Sequence, residues 1–173
     1  MKRYSIFKFS LLIFLFSIFL PNVNGQVFDR RGQAIYVELM GNGLIYSVNY
    51  ESRFTAKTGG IGGRIGISHF GDALSVPILI NYLIGKKDSN KFFELGAGIT
   101  YLNYTEPYEI GDRTFEEQTL ATFSIMFRRH PRYGKWMWKV GLTPVIGYLG
   151  EDDDGKAEMK IWPWIGIGIG RAF

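Results

Sequence analysis

Two histidines, His69 and His130, are the only imidazoles in the chain, and there is no cysteine. Thiolate metal sites, a disulfide framework and a lipid-modified amino-terminal cysteine are therefore excluded. His69 follows Ser68, but neighbours on a strand point to opposite faces, so these two cannot form a dyad. His130 precedes Pro131 among Arg128, Arg129 and Arg132, which reads as an exposed turn. The acidic run Glu151-Asp152-Asp153-Asp154 resembles part of a calcium loop. Position twelve counted from Asp152 is Pro163 rather than Glu, so the full motif fails, leaving a solvated loop or loose divalent-cation binding. Gly59-Gly60-Ile61-Gly62-Gly63 has no following helix or acidic partner and is not a nucleotide fingerprint; no Walker motif occurs. No catalytic, cofactor-binding or metal set emerges. What remains are seven charges, Glu38, Glu51, Arg53, Arg64, Glu94, Arg128 and Lys139, each set by period-two spacing on the face opposite an apolar row. Charges on one enclosed face must pair, because an unpaired buried ion is very costly.

The elements that would carry them are strands. The last stretch, Ile161 to Phe173, alternates large and small. Ile161, Ile165, Ile167, Ile169 and Phe173 share one face, with Gly166, Gly168, Gly170 and Ala172 on the other. A bare glycine face leaves room for long side chains crossing a narrow barrel. The bulky face must then meet something apolar.

Seven similar runs precede it: Ala34 to Met40, Leu44 to Phe54, Gly59 to Phe70, Leu74 to Ile84, Lys91 to Tyr104, Gln118 to His130 and Lys135 to Tyr148. Gly41-Asn42-Gly43 marks a tight turn. Pro77 leaves the pairing of the fourth run open. The longest connections, 105–117 and 149–160, both follow odd strands and so emerge at one end, while the connections after even strands are short. Even strand number, runs long enough for a tilted membrane strand and this loop asymmetry together predict an all-β, eight-stranded antiparallel up-and-down transmembrane β-barrel. Tyr82, Tyr101, Trp136, Trp138 and Tyr148 fall toward strand ends on the outward face, where interfacial aromatics belong.

Ahead of the barrel, Lys2, Arg3 and Lys8 flank an 11-residue apolar run, Ser10 to Leu20, ending in Val23-Asn24-Gly25. Residues 1–25 read as a cleaved signal peptide and 26–173 as the barrel domain. An uncleaved anchor is the alternative, though the run is short for a spanning helix. Removing the segment leaves 17 basic against 16 acidic residues, so the basic balance of the 173-residue chain implies no nucleic-acid partner. A mean hydropathy of zero excludes a polytopic helical membrane protein.

The pattern over about 34–173 resembles the small eight-stranded outer-membrane β-barrels, of the type of the OmpA membrane domain and its short relatives in Bacteroidota. The assembly signal of that family is matched by Gly168 and Phe173. Gly166 stands where a polar residue is usual, and Arg171 where an aromatic is usual. The resemblance implies residence in the bacterial outer membrane, contact with its lipid, and insertion by the outer-membrane assembly machinery. It does not fix an activity. The expectation is a porin-like, Gram-negative barrel that is not an enzyme and needs no cofactor. Its lumen is plugged by charged side chains, its role is structural or surface-interacting, and a ligand could be met through loops 105–117 and 149–160. A lipid-modifying enzyme, a narrow pore and a soluble lipocalin-like carrier are the competing readings; the last would need a polar exterior.

Overall fold

The computed structural model describes residues 31–173 except 87–88, 108–112, 132–134 and 152–156; side chains over 105–116 and 148–158 are also not described. The targeting segment and the core of the acidic run lie outside the described residues. The elements are β1 (Gln33–Leu39), β2 (Tyr46–Arg53), β3 (Gly60–Phe70), β4 (Ala73–Ile84), β5 (Lys91–Pro107), β6 (Arg113–Arg129), β7 (Trp136–Leu142), β8 (Val145–Glu151), β9 (Ala157–Trp162) and β10 (Ile165–Ala172). Each pairs antiparallel with its neighbours. β1 pairs with β10, and β5 with β6, so the sheet closes on itself and leaves no edge at its base.

Ten runs make eight strands. The pairs Leu142↔Ile165 and Val145↔Trp162 belong to one continuous register, so β7 and β8 are halves of a seventh strand, and β9 and β10 halves of an eighth. Both strands are interrupted at the same level, by Pro144 and Pro163. The register sets these two prolines opposite each other.

The stagger of the barrel follows from the ladders. Ile35 stands opposite Arg171 on the last strand. Passing the other way round, Ile35 leads through Tyr50, Ile65, Ile78, Ile99, Ala121 and Ile146 to Ile161 on that strand, a stagger of ten residues from Arg171. For eight strands this tilts each by about 43° from the axis, within the range of closed barrels. One residue along a strand then climbs about 2.5 Å. On the seventh strand the outward row Trp136, Trp138, Val140, Leu142, Pro144, Ile146 spans about 25 Å along the axis, the height of an apolar membrane band.

Burial alternates strictly, as period-two sequences dictate. On β10 the isoleucines face out, with Ile167 57% exposed, while Gly166 and Gly168 are buried. The interior is polar. Its buried apolar cluster is small: Ala34, Tyr36, Met137 and Ala172, where the first and last strands meet.

Three expectations are corrected here. The connection 105–117 is mostly strand, because β5 runs to Pro107 and β6 starts at Arg113, paired as Pro107↔Arg113. Likewise β8 reaches Glu151 and β9 starts at Ala157 within 149–160. Antiparallel pairing is a backbone property, and polar β-formers such as Thr105 and Thr114 sustain it after the apolar alternation has ended. The second strand begins at Tyr46, two residues later than expected. Met40 and Leu44 take positive φ angles of 50° and 71°, which ends the pleat and turns the intervening chain inward.

Candidate functional site: a buried chain of charges

The inward parity of six strands delivers the seven charges to one enclosed volume. Glu38 comes from β1, Glu51 and Arg53 from β2, Arg64 from β3, Glu94 from β5, Arg128 from β6 and Lys139 from β7. Each is at most 3% exposed. They form a single chain of alternating sign. Arg64 pairs with Glu38. Lys139 Nζ lies 3.2 Å from Glu38 and 3.3 Å from Glu94. Arg128 bridges Glu94 at 2.8 Å and Glu51 at 2.6 Å. Arg53 pairs with Glu51 and closes the chain.

Neutral groups add further bonds, although Nε of Arg53 and of Arg128 is buried without a partner. Tyr36 Oη accepts from Lys139 Nζ over 3.0 Å and donates to Glu51 over 3.3 Å. Asn81 accepts from Arg53 over 2.5 Å and donates to Glu94 over 3.4 Å. Asn49 accepts from Arg64 Nε over 3.0 Å. Small residues make this crossing possible. A Cβ at Gly168 would stand 3.0 Å from Lys139 Cγ, and one at Gly62 would collide with the Arg53 guanidinium. Burial of so many ions is tolerable because every carboxylate touches two cations.

His130 belongs to this interior and is 1% exposed, which corrects its reading as an exposed turn residue. Parity explains it: the inward row Leu120, Thr122, Ser124, Met126, Arg128 continues one step further, just beyond the end of β6. Its Nδ1 lies 2.7 Å from Arg128 Nη2 and must accept, so the ring is neutral with its proton on Nε2. Burial and the adjacent Arg128 push its pKa down to about 3.

A second closure lies at the end opposite the termini. The turn between β1 and β2 folds into the barrel, and Asn42 is fully buried. Its carbonyl accepts from Thr100 Oγ1 over 2.7 Å, its Oδ1 from Arg64 over 3.2 Å, and its Nδ2 donates to Phe123 O over 2.9 Å. Gly43 O accepts from Ser75 Oγ over 2.9 Å, and Leu44 O from Trp164 Nε1 over 3.1 Å. The bond to Phe123 has a particular cause. Phe123 N donates to Pro144 O, but Pro144 has no N–H to return to Phe123 O, and Asn42 supplies the missing donor. The sequence signals Gly41-Asn42-Gly43 and Pro144 are both visible in the chain; their meeting across the lumen is not.

The aromatics singled out in the sequence occupy both ends of the outer face. Trp136 and Trp138 lie at the end holding the termini, 69% and 39% exposed, with Trp138 tilted against Phe127 at 5.6 Å. Tyr82 is 53% exposed toward the same end. Tyr101 is half-buried toward the far end, and the Tyr148 side chain is outside the described set. Gly168 lies midway along β10 against Lys139, and Phe173, just beyond the strand, donates its N–H to Gln33 O over 3.0 Å. Ser68 is buried and His69 exposed, on opposite faces of β3, so no dyad forms between them. Among the described residues no group of three or more His, Asp or Glu is arranged to hold a metal.

No protein-family model and no curated protein sequence matches the chain. Among solved structures it is similar to the N-terminal β-barrel domain of Pseudomonas aeruginosa OprF, with TM-score 0.54 and 12% identity over 83% of this chain and 96% of that one. At that identity the likeness concerns the fold alone: an all-β, closed, eight-stranded antiparallel barrel.

Proposed function

We propose that the chain is an integral protein of a bacterial outer membrane, of the short Bacteroidota type, delivered by the amino-terminal segment and inserted by the outer-membrane assembly machinery. The observation that carries this reading is the inverted polarity of the barrel. Seven ions are enclosed while Ile165, Ile167 and Ile169 stand 55 to 58% exposed on the outer face. A water-soluble carrier would expose its ions and enclose its isoleucines.

The role is structural or surface-interacting rather than conductive. An eight-stranded barrel is just wide enough to be filled by its own side chains or to hold one small ligand. Here an ion chain and an inward turn occupy it in series. The two hairpins that rise beyond the apolar band, β5–β6 and β8–β9, are the surface offered to an extracellular ligand.

Fractionation of expressing cells tests the location: the protein should sediment with outer membranes and resist carbonate extraction. Planar-bilayer recording tests the lumen. Steady, ion-selective currents from the native protein would replace the plug with a narrow pore lined by the same residues.

A further inference from the structure

The wall of the barrel is not of even height. The β1–β10 ladder stops at Leu39↔Ile167, and the β2–β3 ladder stops at Val48↔Ile67. Above these pairs the last strand continues through Ile165 and β9 with no strand beside it on that side among the described residues, and β3 continues to Phe70. In a barrel so tilted each register partner stands about 3 Å higher than the last, so Ile35, two partners on from Trp136, is about 6 Å above it and Leu39 about 16 Å up a band of about 25 Å. The β1–β2 turn therefore sits in the part of the band away from the termini but still below its top, and the notch above it opens sideways into the band. Ile165, six residues from Arg171, lies about 18 Å up, and Ile161 about 28 Å up, at the top of the band.

We infer that this notch is a lateral recess that takes the acyl chain of a lipid from the leaflet at the end opposite the termini. The inference rests on the membrane reading above. Depth restricts the occupant to lipid or another membrane-embedded chain. Its rim is apolar and open: Met40, Ile45, Ile67, Phe70 and Ile165 are each 49 to 56% exposed.

The backbone chemistry of the rim disfavours a strand from a second copy. Thr143 N donates to Trp164 O, so Trp164 bonds toward β7 and Pro163, one residue away, directs its ring nitrogen into the notch. Proline on a free edge denies a donor to any added strand. On the facing edge the His69 carbonyl already accepts from Tyr46 Oη. Below, the Leu44 carbonyl is taken by the Trp164 indole. Hydrocarbon needs no donors and fits such a rim.

Trp164 makes the recess measurable. It is half-buried and has the inward parity of its strand, so lipid chains confined to the outer face would not reach it. The chain has four tryptophans. Replacing Trp136, Trp138 and Trp162 by Phe leaves Trp164 alone, and a companion variant keeps Trp138 alone. Both are reconstituted in phosphatidylcholine vesicles whose acyl chains are brominated at mid-chain. Trp164 is expected to lose fluorescence to a similar extent as Trp138. Quenching of Trp138 with Trp164 unaffected would overturn the recess. Quenching of neither would instead overturn the membrane reading beneath it. Loss of Trp164 quenching at high protein density, together with cross-linked dimers, would assign the notch to a second copy and overturn the lipid assignment. The unaltered protein gives an independent readout. Spin-labelled lipid should show a motionally restricted fraction that Ile165→Trp, which fills the notch, diminishes; an unchanged fraction overturns the proposal.

Discussion

Lys139 reaches across the barrel to Tyr36: its ammonium bonds the phenol oxygen over 3.0 Å and lies 4.6 Å from the centre of the same ring. One cation thus meets two carboxylates and an aromatic quadrupole at once. Lys139→Met is expected to be among the most damaging single changes in the interior, because it leaves both Glu38 and Glu94 short of a partner. The cost is about 3 to 5 kcal/mol for a buried pair broken on one side. Adding Glu94→Gln should recover part of that loss, since one stranded charge is then removed. Urea titrations of the protein refolded in lipid vesicles read both; strict additivity of the two changes contradicts the coupling.

Asn42→Ala removes the donor that stands in for Pro144. It leaves Phe123 O unsatisfied and frees one bond of Arg64, at an expected cost of about 1 to 3 kcal/mol. Restoring a backbone N–H at position 144 by Pro144→Ala should lessen the penalty in the double variant, because that N–H can return the ladder bond to Phe123 O. The same refolding titrations compare the single and double variants. A penalty unchanged by Pro144→Ala would show that Asn42 acts only through the turn.

On the outer face, Ile167→Arg should lower stability by about 2 to 4 kcal/mol near the bilayer midplane. Its neighbour Gly168 faces the other way, and Gly168→Leu should harm the barrel by displacing the Lys139 stem that lies 3.0 Å from the added Cβ. The two effects separate on combination with Lys139→Met: that background should soften Gly168→Leu and leave Ile167→Arg as severe. Equal softening of both would misassign the faces.

His130, beyond the end of β6, sets a pH dependence. Its pKa is held at about 3 in the folded protein by burial and by Arg128, against about 6.5 in the unfolded chain. The unfolded state takes up the proton first. The contribution of His130 to stability is therefore full above pH 6.5 and falls as the pH drops from there toward 3. His130→Gln should flatten the stability profile over that window while keeping a group that can accept from Arg128. An unchanged slope would mean that the ring titrates normally.

Sequence periodicity gives access to the faces but not to the heights. Which way Glu94 or Lys139 points follows from parity alone, so the inventory of inward charges is legible in residue types and spacing. Partner identity is not, because it depends on the stagger: Lys139 meets Tyr36 across 103 positions of chain, with Glu38 beside it, only in a barrel offset by ten residues. The polar arms of β5 and β6 carry no apolar alternation to mark them, since their pairing outlasts it. At His130 two signals compete. The adjacent Pro131 and arginines suggest a turn, whereas the parity of the preceding strand points inward, and parity prevails. Pro144 and Pro163 carry a signal whose meaning requires knowing that they face each other.

Joining the first strand to the last has a kinetic consequence. Ala34 pairs with Ala172, so the ring cannot close until segments 138 residues apart have both been delivered. Such distant pairings make folding slow, since loop entropy is spent before the contacts that reward it can form. The same closure brings Glu38 on the first strand to Lys139 on the seventh. Until then these ions remain hydrated and help keep the open chain dispersed; afterwards they are sealed from water. Closing the ring and dehydrating the charges are thus one event, and variants of Glu38 or Lys139 should change the rate of barrel closure as well as the strength of the finished wall.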